Sequence, residues 1–252
     1  MPHSVHSLGG METPIEGGGD AVDLSLRYWN ANQPRAAWSE ECPEFLEGIS
    51  EKNKVILSKR DEEFDRITWD KCKELVSENT IYQFQRNASQ LRGYLEYIHH
   101  LKKKHGSVLE YVKQFRLKWA DITSSDKPPF EDASDFKILY NDWPYHVDED
   151  ITHLVVWTKF TIDEEEQTGE VTPEGKRQTE DFIKKTFLRQ GITRDQIIWF
   201  KNWKSLKSVH ALEHFHVMLY KAPRDLLDEV TRGDRPTSES WTSGTEYSYS
   251  VV

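Results

Sequence analysis

The stretch Ala211-Leu-Glu-His-Phe-His-Val-Met-Leu-Tyr220 has the alternating pattern of a β-strand. Successive side chains of a strand point to opposite faces, so His214, His216 and Met218 share one face and the apolar residues between them share the other. We therefore expect two imidazoles on one exposed patch. Such a pair indicates either hydrogen-bonded sheet histidines or a site of chemistry.

The second half of the chain predicts an antiparallel sheet crossed by one helix. Three further strands are expected, at Phe136–Tyr140, Ile151–Phe160 and Gln196–Trp199. The helix is expected near 173–189, because Thr172 is a good N-cap, Pro173 suits the first helical position and Gly191 ends the pattern. The predicted order is strand, loop, strand, helix, strand, strand.

The first half is predicted to be helical. Apolar residues recur at steps of three and four over roughly 61–121, and Gly106 follows a cationic cluster at 102–105 as a helix stop. We expect an α+β protein with a disordered leader at 1–36 and a helical subdomain at 37–125. An α+β portion at 126–231 packs on that subdomain as one domain, and a disordered tail follows at 232–252.

Composition limits the classes of partner. A net charge of −10 argues against a general nucleic-acid binder, because phosphate backbones are held by clustered lysine and arginine. Apolar runs are too short to cross a bilayer, and Cys42 and Cys72 lack metal-ligand spacing. We expect a cytoplasmic or nuclear setting with no membrane partner.

A basic connection, Lys201-Asn-Trp-Lys-Ser-Leu-Lys-Ser208, joins the last two strands. Its lysines and hydroxyls predict a phosphate-binding loop in an otherwise acidic chain. The residues concerned are Lys201, Asn202, Lys204, Ser205, Lys207 and Ser208. A solvated hairpin tip is the alternative interpretation.

A metal site is the alternative use of these histidines. His210, Glu213 and His214 spell His-x-x-Glu-His, which on a helix would be typical of a zinc site. The apolar alternation after His214 favours a strand instead, so we expect no metal and no cofactor. His146 and His153 flank the turn at Trp143, and a structural role is expected for both.

Several tryptophan-rich motifs carry a family resemblance over roughly 61–221. They are Tyr140-Asn-Asp-Trp-Pro-Tyr145, His153-Leu-Val-Val-Trp-Thr-Lys159, Trp199-Phe-Lys-Asn-Trp203 and Leu206-Lys-Ser-Val-His210 leading into the histidine strand. In these motifs the chain resembles the fungal N-acetylglucosamine-induced protein family, whose domain has no assigned function.

The order of the predicted elements is also similar to the histidine triad superfamily, in particular its diadenosine tetraphosphate phosphorylase and galactose-1-phosphate uridylyltransferase branch. This resemblance implies that His216 is the nucleophile that attacks an α-phosphate, assisted by His214. The ligand-binding positions that we predict are Asn141, Trp143, Lys159, Lys201, Asn202, Lys204, Ser205, Lys207, Ser208 and His210.

Two departures from that pattern concern activity. Met218 stands where the superfamily has a hydrogen-bonding residue, and His210-Ala-Leu-Glu213 replaces the usual Gly-x-Ser turn. The first hypothesis is a nucleotide or nucleotide-sugar binding protein with nucleotidyl transfer, hydrolysis or phosphorolysis at His216. The alternatives are a non-catalytic nucleotide-sugar sensor and an interaction protein whose aromatic surface binds a protein partner.

Overall fold

A four-stranded antiparallel sheet is the centre of the fold. The computed structural model describes residues 27–165, 167–188, 191–202 and 212–241. Its strands are β1 (Phe136–Tyr140), β2 (Ile151–Thr158), β3 (Ile197–Phe200) and β4 (Glu213–Tyr220), in the spatial order β1-β2-β4-β3. All three pairings are antiparallel, as the strand pattern of the sequence predicts.

Six α-helices lie within the described residues. They are α1 (Glu51–Leu57), α2 (Trp69–Ser77), α3 (Ala88–His105), α4 (Val108–Tyr111), α5 (Pro173–Phe187) and α6 (Arg224–Thr231), and a π-helical turn at Val112–Leu117 extends α4. Two predicted caps are confirmed: Thr172 accepts a hydrogen bond from the Gly175 amide at 3.1 Å, and Gly106 ends α3 with φ of 79°. Helix α5 ends earlier than predicted, at Phe187 with Leu188 as its C-cap, and Gly191 lies beyond its end. The α+β class is confirmed, and α1 and α6 were not predicted.

The two faces of the sheet carry different cores. Phe215, Val217 and Leu219 of β4 pack with the apolar sides of α5 and α6, on the face that alternation predicts to be apolar. The opposite face is covered by the helical first half of the chain, since α2 packs on Met218 and the α3–α4 region packs on Leu139. Both faces of β4 are therefore inside the protein.

This packing corrects one expectation. His214 and His216 are 3% and 6% exposed, so the two imidazoles are buried and do not form an exposed patch. The physical reason is that the helical half of the chain lies directly on their side of the sheet.

The inner edges of the two expected disordered ends form defined contacts. Tyr28 and Trp29 pack beside Leu46, and the Trp29 carbonyl accepts a hydrogen bond from Arg92 at 2.7 Å. At the other end, Trp241 packs edge-on against Tyr97, with ring centroids 5.2 Å apart. Residues 1–26 and 242–252 lie outside the described residues.

Gly93 lets Trp143 approach the middle of α3. A Cβ at this position would lie 2.9 and 3.0 Å from two carbons of the Trp143 ring. Replacing glycine by alanine in a helix normally stabilises by about 1 kcal/mol. Here we expect Gly93→Ala to lower the free energy of unfolding by about 1–3 kcal/mol, because the ring has to move out of a packed site. Urea unfolding measures this change.

The Trp143→Phe background is the control, since it removes the ring carbons nearest to Gly93. The penalty for Gly93→Ala should shrink in that background, as expected for residues in contact. A single Gly93→Ala variant more stable than the wild type would contradict the packing.

Candidate functional site

A cavity of about 140 Å³ lies between the sheet and the α3–α4 region. Its floor includes a row of residues across three strands, in which Leu139 is opposite Val155 and Val155 is opposite His216. The floor is apolar over β1 and β2 and polar over β4.

Two buried histidines form the centre of the polar end. His153 Nε2 lies 2.9 Å from His216 Nδ1, and Asn202 Nδ2 lies 3.0 Å from His216 Nε2. The Asn202 amide group donates, so His216 Nε2 accepts and the ring proton is on Nδ1, which donates to His153. The Phe200 ring stacks on His216 with centroids 5.0 Å apart. These contacts fix both the tautomer and the orientation of His216.

The turn at Asn141 reaches this histidine pair. Asn141 donates its backbone N–H to the His153 carbonyl at 2.9 Å, and its side-chain oxygen accepts from the Trp143 amide at 3.0 Å. Its side-chain nitrogen then faces the His153 ring, 3.3 Å from Nε2. The structure thus brings the Asn141 turn and the histidine strand together, although they are far apart in sequence.

Both histidines of the pair are neutral near pH 7. Burial lowers the pKa of His153 to about 3, and the positive charge of Arg86 acts in the same direction. Burial also lowers the pKa of His216 well below its ordinary value, and His153, His214 and Arg86 add to that effect. A neutral imidazole can accept a hydrogen bond or act as a nucleophile.

His214 is held beside the pair. Its Nδ1 donates to the Leu212 carbonyl at 2.9 Å, and its ring lies 4.6 Å from the ring of Trp157. The ring centroids of His214 and His216 are 5.7 Å apart, so both imidazoles line the same cavity.

Arg86 is the arginine of the cavity wall that lacks a carboxylate partner in the described part of the chain. Nε of Arg86 donates to the Trp143 carbonyl at 3.0 Å, and its guanidinium lies 4.1 Å from the centroid of the Tyr94 ring. Within the described part of the chain, Arg86 forms no ion pair with a carboxylate. The other lining arginine, Arg116, is paired with Asp142 and Asp234. The charged residues that line the cavity, Arg86, Arg116 and Asp142, sum to +1, and Asp234 behind Arg116 offsets this charge.

Trp143 places a hydrogen-bond donor without an acceptor in the same wall of the cavity. Its indole N–H is buried and has no hydrogen-bond acceptor among the described residues. Trp143 lines the cavity, and a buried donor without an acceptor is costly unless a ligand or water supplies one.

Two predicted lysines are placed away from the cavity. Lys201 is buried and contacts Glu164 at 2.6 Å and Glu213 at 3.1 Å. The ammonium group of Lys159 lies 5.4 Å from the Trp119 ring. Neither lysine lines the cavity, whereas Asn141, Trp143, Asn202, His214 and His216 do. The predicted residues Lys204, Ser205, Lys207, Ser208 and His210 lie outside the described residues.

The most direct partner of His216 was not among the predicted site residues. His153 was expected to have a structural role, but it lies on the same face of β2 as Val155 and Trp157, which pair with His216 and His214. The alternate spacing of His153, Val155 and Trp157 along β2 could have indicated that His153 lies near His216. Arg86 carries no such signal, because it precedes α3 and reaches the site only through tertiary packing.

The metal interpretation of His-x-x-Glu-His required a helix. Glu213 and His214 lie in strand β4, and His210 falls outside the described residues. Across the described ranges, His, Cys, Asp and Glu side chains form no group of three or more that could hold a metal ion. None of the helices in those ranges has the length and apolar character needed to span a bilayer.

Comparison with known proteins finds matches to the central part of the chain. Residues 68–220 match the family described as "Protein of unknown function (DUF3605)". The chain is 30% identical over 188 residues to N-acetylglucosamine-induced protein 1 of Candida albicans, covering 67% of this chain and 74% of that protein. It is 26% identical over 175 residues to "Uncharacterized protein YPL067C" of Saccharomyces cerevisiae, covering 66% and 84%.

Among solved structures, the crystal structure of HTC1 aligns with a TM-score of 0.51 at 23% identity, covering 66% of this chain and 95% of that chain. At this identity the likeness concerns the fold alone. The family-matched segment contains the whole sheet, Arg86 and both histidines of the pair. The chain therefore belongs to the DUF3605 family, which includes N-acetylglucosamine-induced protein 1 among its relatives.

Proposed function

We propose that the cavity binds the phosphate-bearing part of a nucleotide or nucleotide sugar. The observation that carries this proposal is Arg86, a guanidinium with no carboxylate partner in the described part of the chain, in the wall of a cavity of about 140 Å³. A guanidinium group presents several N–H donors in a planar arrangement that matches phosphate oxygens. A guanidinium that has no carboxylate partner attracts anions.

The neighbouring groups support the same ligand class. The Asn202 amide group can donate a hydrogen bond to a phosphate oxygen, and the Trp143 indole N–H requires an acceptor. The histidine pair stays neutral, so it adds no second charge beside Arg86. The name of the Candida relative makes an amino-sugar nucleotide the first ligand to test.

The test is the affinity of Arg86→Gln for nucleotides and nucleotide sugars, measured by calorimetry beside the wild type. We expect a loss of about 10- to 100-fold, because a hydrogen bond to a charged group contributes about 1.5–3 kcal/mol. Arg86→Lys should recover part of the affinity. The control is Arg177→Gln, which removes an exposed arginine of α5. Equal affinities in Arg86→Gln and the control would contradict the proposal.

Nucleotidyl transfer through His216 is the second candidate, and the tautomer of His216 favours it. With the proton on Nδ1 and shared with His153, the lone pair is on Nε2, where Asn202 now donates to it. Once Asn202 rotates away, Nε2 would form a bond to the α-phosphorus while the bond from phosphorus to the leaving oxygen breaks. The leaving oxygen takes the electron pair, and water or phosphate then displaces Nε2.

This chemistry is tested by intact-protein mass spectrometry after incubation with the same nucleotides. A catalyst gives product and an acid-labile nucleotidyl adduct in the wild type and neither in His216→Asn. A binding protein retains ligand in both forms without product. If no ligand is retained by either form, both functions are wrong and a protein partner becomes the next hypothesis. Lys159, Lys201 and the five residues outside the described ranges stay predictions as further phosphate ligands.

A further inference from the structure

A second cavity, of about 400 Å³, adjoins the first at Asn202. It lies beside the edge strand β3, between the end of α2 and the segment around Glu170. Phe200 and Asn202 are the link, since Phe200 stacks on His216 and the Asn202 side chain lines both cavities. Asn202 is therefore a wall residue that the two cavities share.

The first cavity is too small for the whole ligand of the proposed function. Cavities of roughly 150 Å³ hold one benzene-sized ring. A volume of about 140 Å³ therefore accommodates one ring or one phosphate group, but not base, ribose, phosphates and sugar together. The remaining groups need another space, and the cavity of about 400 Å³ is the adjoining one.

The lining of the second cavity suits a neutral group rich in hydroxyls. Lys201 contacts Glu164 at 2.6 Å, and Lys176 contacts Glu170 at 3.4 Å, so its cations and carboxylates are present in pairs. Asn79 donates to the Glu170 carboxylate at 3.4 Å. Paired charges offer strong donors and acceptors without selecting an ion, and this is the requirement for binding sugar hydroxyl and amide groups.

We infer that this second cavity is the sugar subsite, so that the ligand is a nucleotide sugar whose connecting phosphates pass Asn202. The inference rests on the proposed function. The sugar hydroxyls of the ligand would accept hydrogen bonds from Asn79 and Lys176 and donate a hydrogen bond to Glu170. The phosphate of the ligand would contact Arg86 in the first cavity.

The experiment compares UDP with UDP-N-acetylglucosamine, and GDP with GDP-mannose, by calorimetry. We expect the wild type to bind one nucleotide sugar at least about 10-fold more tightly than its parent diphosphate. Glu170→Gln should remove that advantage and leave the affinity for the diphosphate unchanged. Lys176→Gln is a second variant on another element, and Glu165→Gln is the matched control, because it lies in the same segment but does not line the cavity.

The possible outcomes separate the two proposals. A nucleoside diphosphate that binds as tightly as its sugar conjugate overturns the sugar subsite and leaves the proposed function intact. A sugar advantage that survives in both Glu170→Gln and Lys176→Gln also overturns the subsite. If neither the diphosphates nor the conjugates bind, the proposed function fails and the subsite fails with it.

Discussion

Replacing Arg116 with methionine is expected to lower the free energy of unfolding by about 3–5 kcal/mol, the usual cost of leaving buried charges without a partner. Arg116 donates from Nη1 to Asp234 at 2.7 Å and from Nε to Asp142 at 3.0 Å. The side chains of Arg116, Asp142 and Asp234 are 13%, 20% and 12% exposed. Solvent therefore screens these charges only weakly.

Each carboxylate also holds backbone in place. Asp234 accepts from the Tyr140 amide of β1 at 2.9 Å, and Asp142 accepts from the Thr237 amide at 2.9 Å. Without Arg116, both carboxylates would remain buried in the seam that joins β1 to the residues after α6. Urea unfolding at neutral pH, with the slope checked against the wild type, measures the loss.

The matched control is Arg177→Met. Arg177 contacts Glu174 and Asp181 in a similar arrangement, but its side chain is 61% exposed. Exposed ion pairs contribute little, so this variant should unfold almost like the wild type. Equal effects of Arg116→Met and Arg177→Met would show that the buried arginine cluster does not stabilise the fold.

The stability of the protein is expected to fall by about 2 kcal/mol between pH 7 and pH 5 from the buried His153 alone, and His216 adds to this loss. Burial lowers the folded-state pKa of His153 to about 3 and that of His216 well below its ordinary value. In the unfolded chain both titrate near the usual 6.5. As the pH falls below that value, the two histidines bind protons in the unfolded state but not in the folded state. His153 therefore removes about 2 kcal/mol over this range, and His216 acts in the same direction.

The charged and titratable groups that face the pair act in the same direction. Arg86 and His214 both oppose a positive charge on His216, and no carboxylate contacts either imidazole of the pair in the described part of the chain. Urea unfolding at several pH values between 5 and 7 gives the slope, which reports the number of protons taken up on unfolding.

His153→Gln tests the assignment, because glutamine can still accept from His216 but does not titrate. The variant should lose about 2 kcal/mol of the pH dependence, whatever its stability at pH 7. Val155→Ala is the control, since it removes a buried neighbour of His216 on the opposite strand without removing a titrating group. A pH slope in His153→Gln identical to that of the wild type would overturn the neutral buried pair.

Local patterns predicted most of the sheet. The strand at Phe136–Tyr140 has the predicted bounds, and β4 begins one residue before His214. Alternation also assigned the faces of β4 correctly. The helix α6 was missed, although Leu226, Leu227 and Val230 give its eight residues an apolar side after Pro223.

Only the part of the candidate site near the histidine motif could be predicted from the sequence. Asn141, Asn202 and His216 do line one cavity, but the positions of Arg86 in its wall and of His153 behind His216 depend on packing that one sequence does not specify. Lys201 illustrates the converse. Its basic neighbourhood indicated a phosphate ligand, whereas two carboxylates from distant parts of the chain pair with it in the fold. The charge of a residue in the sequence does not show which partners that residue contacts once it is buried in the fold.

The register of the sheet has a consequence for the order of folding. His153 and His216 are 63 residues apart in sequence, and they meet only when β2 and β4 pair along their full length. Pairings between distant segments close long loops, and such contacts form slowly compared with helices. The helical elements before β1 can form within microseconds from local contacts. The cavity beside the histidine pair therefore depends on this long-range pairing, and a chain that has only its helices in place has no histidine pair.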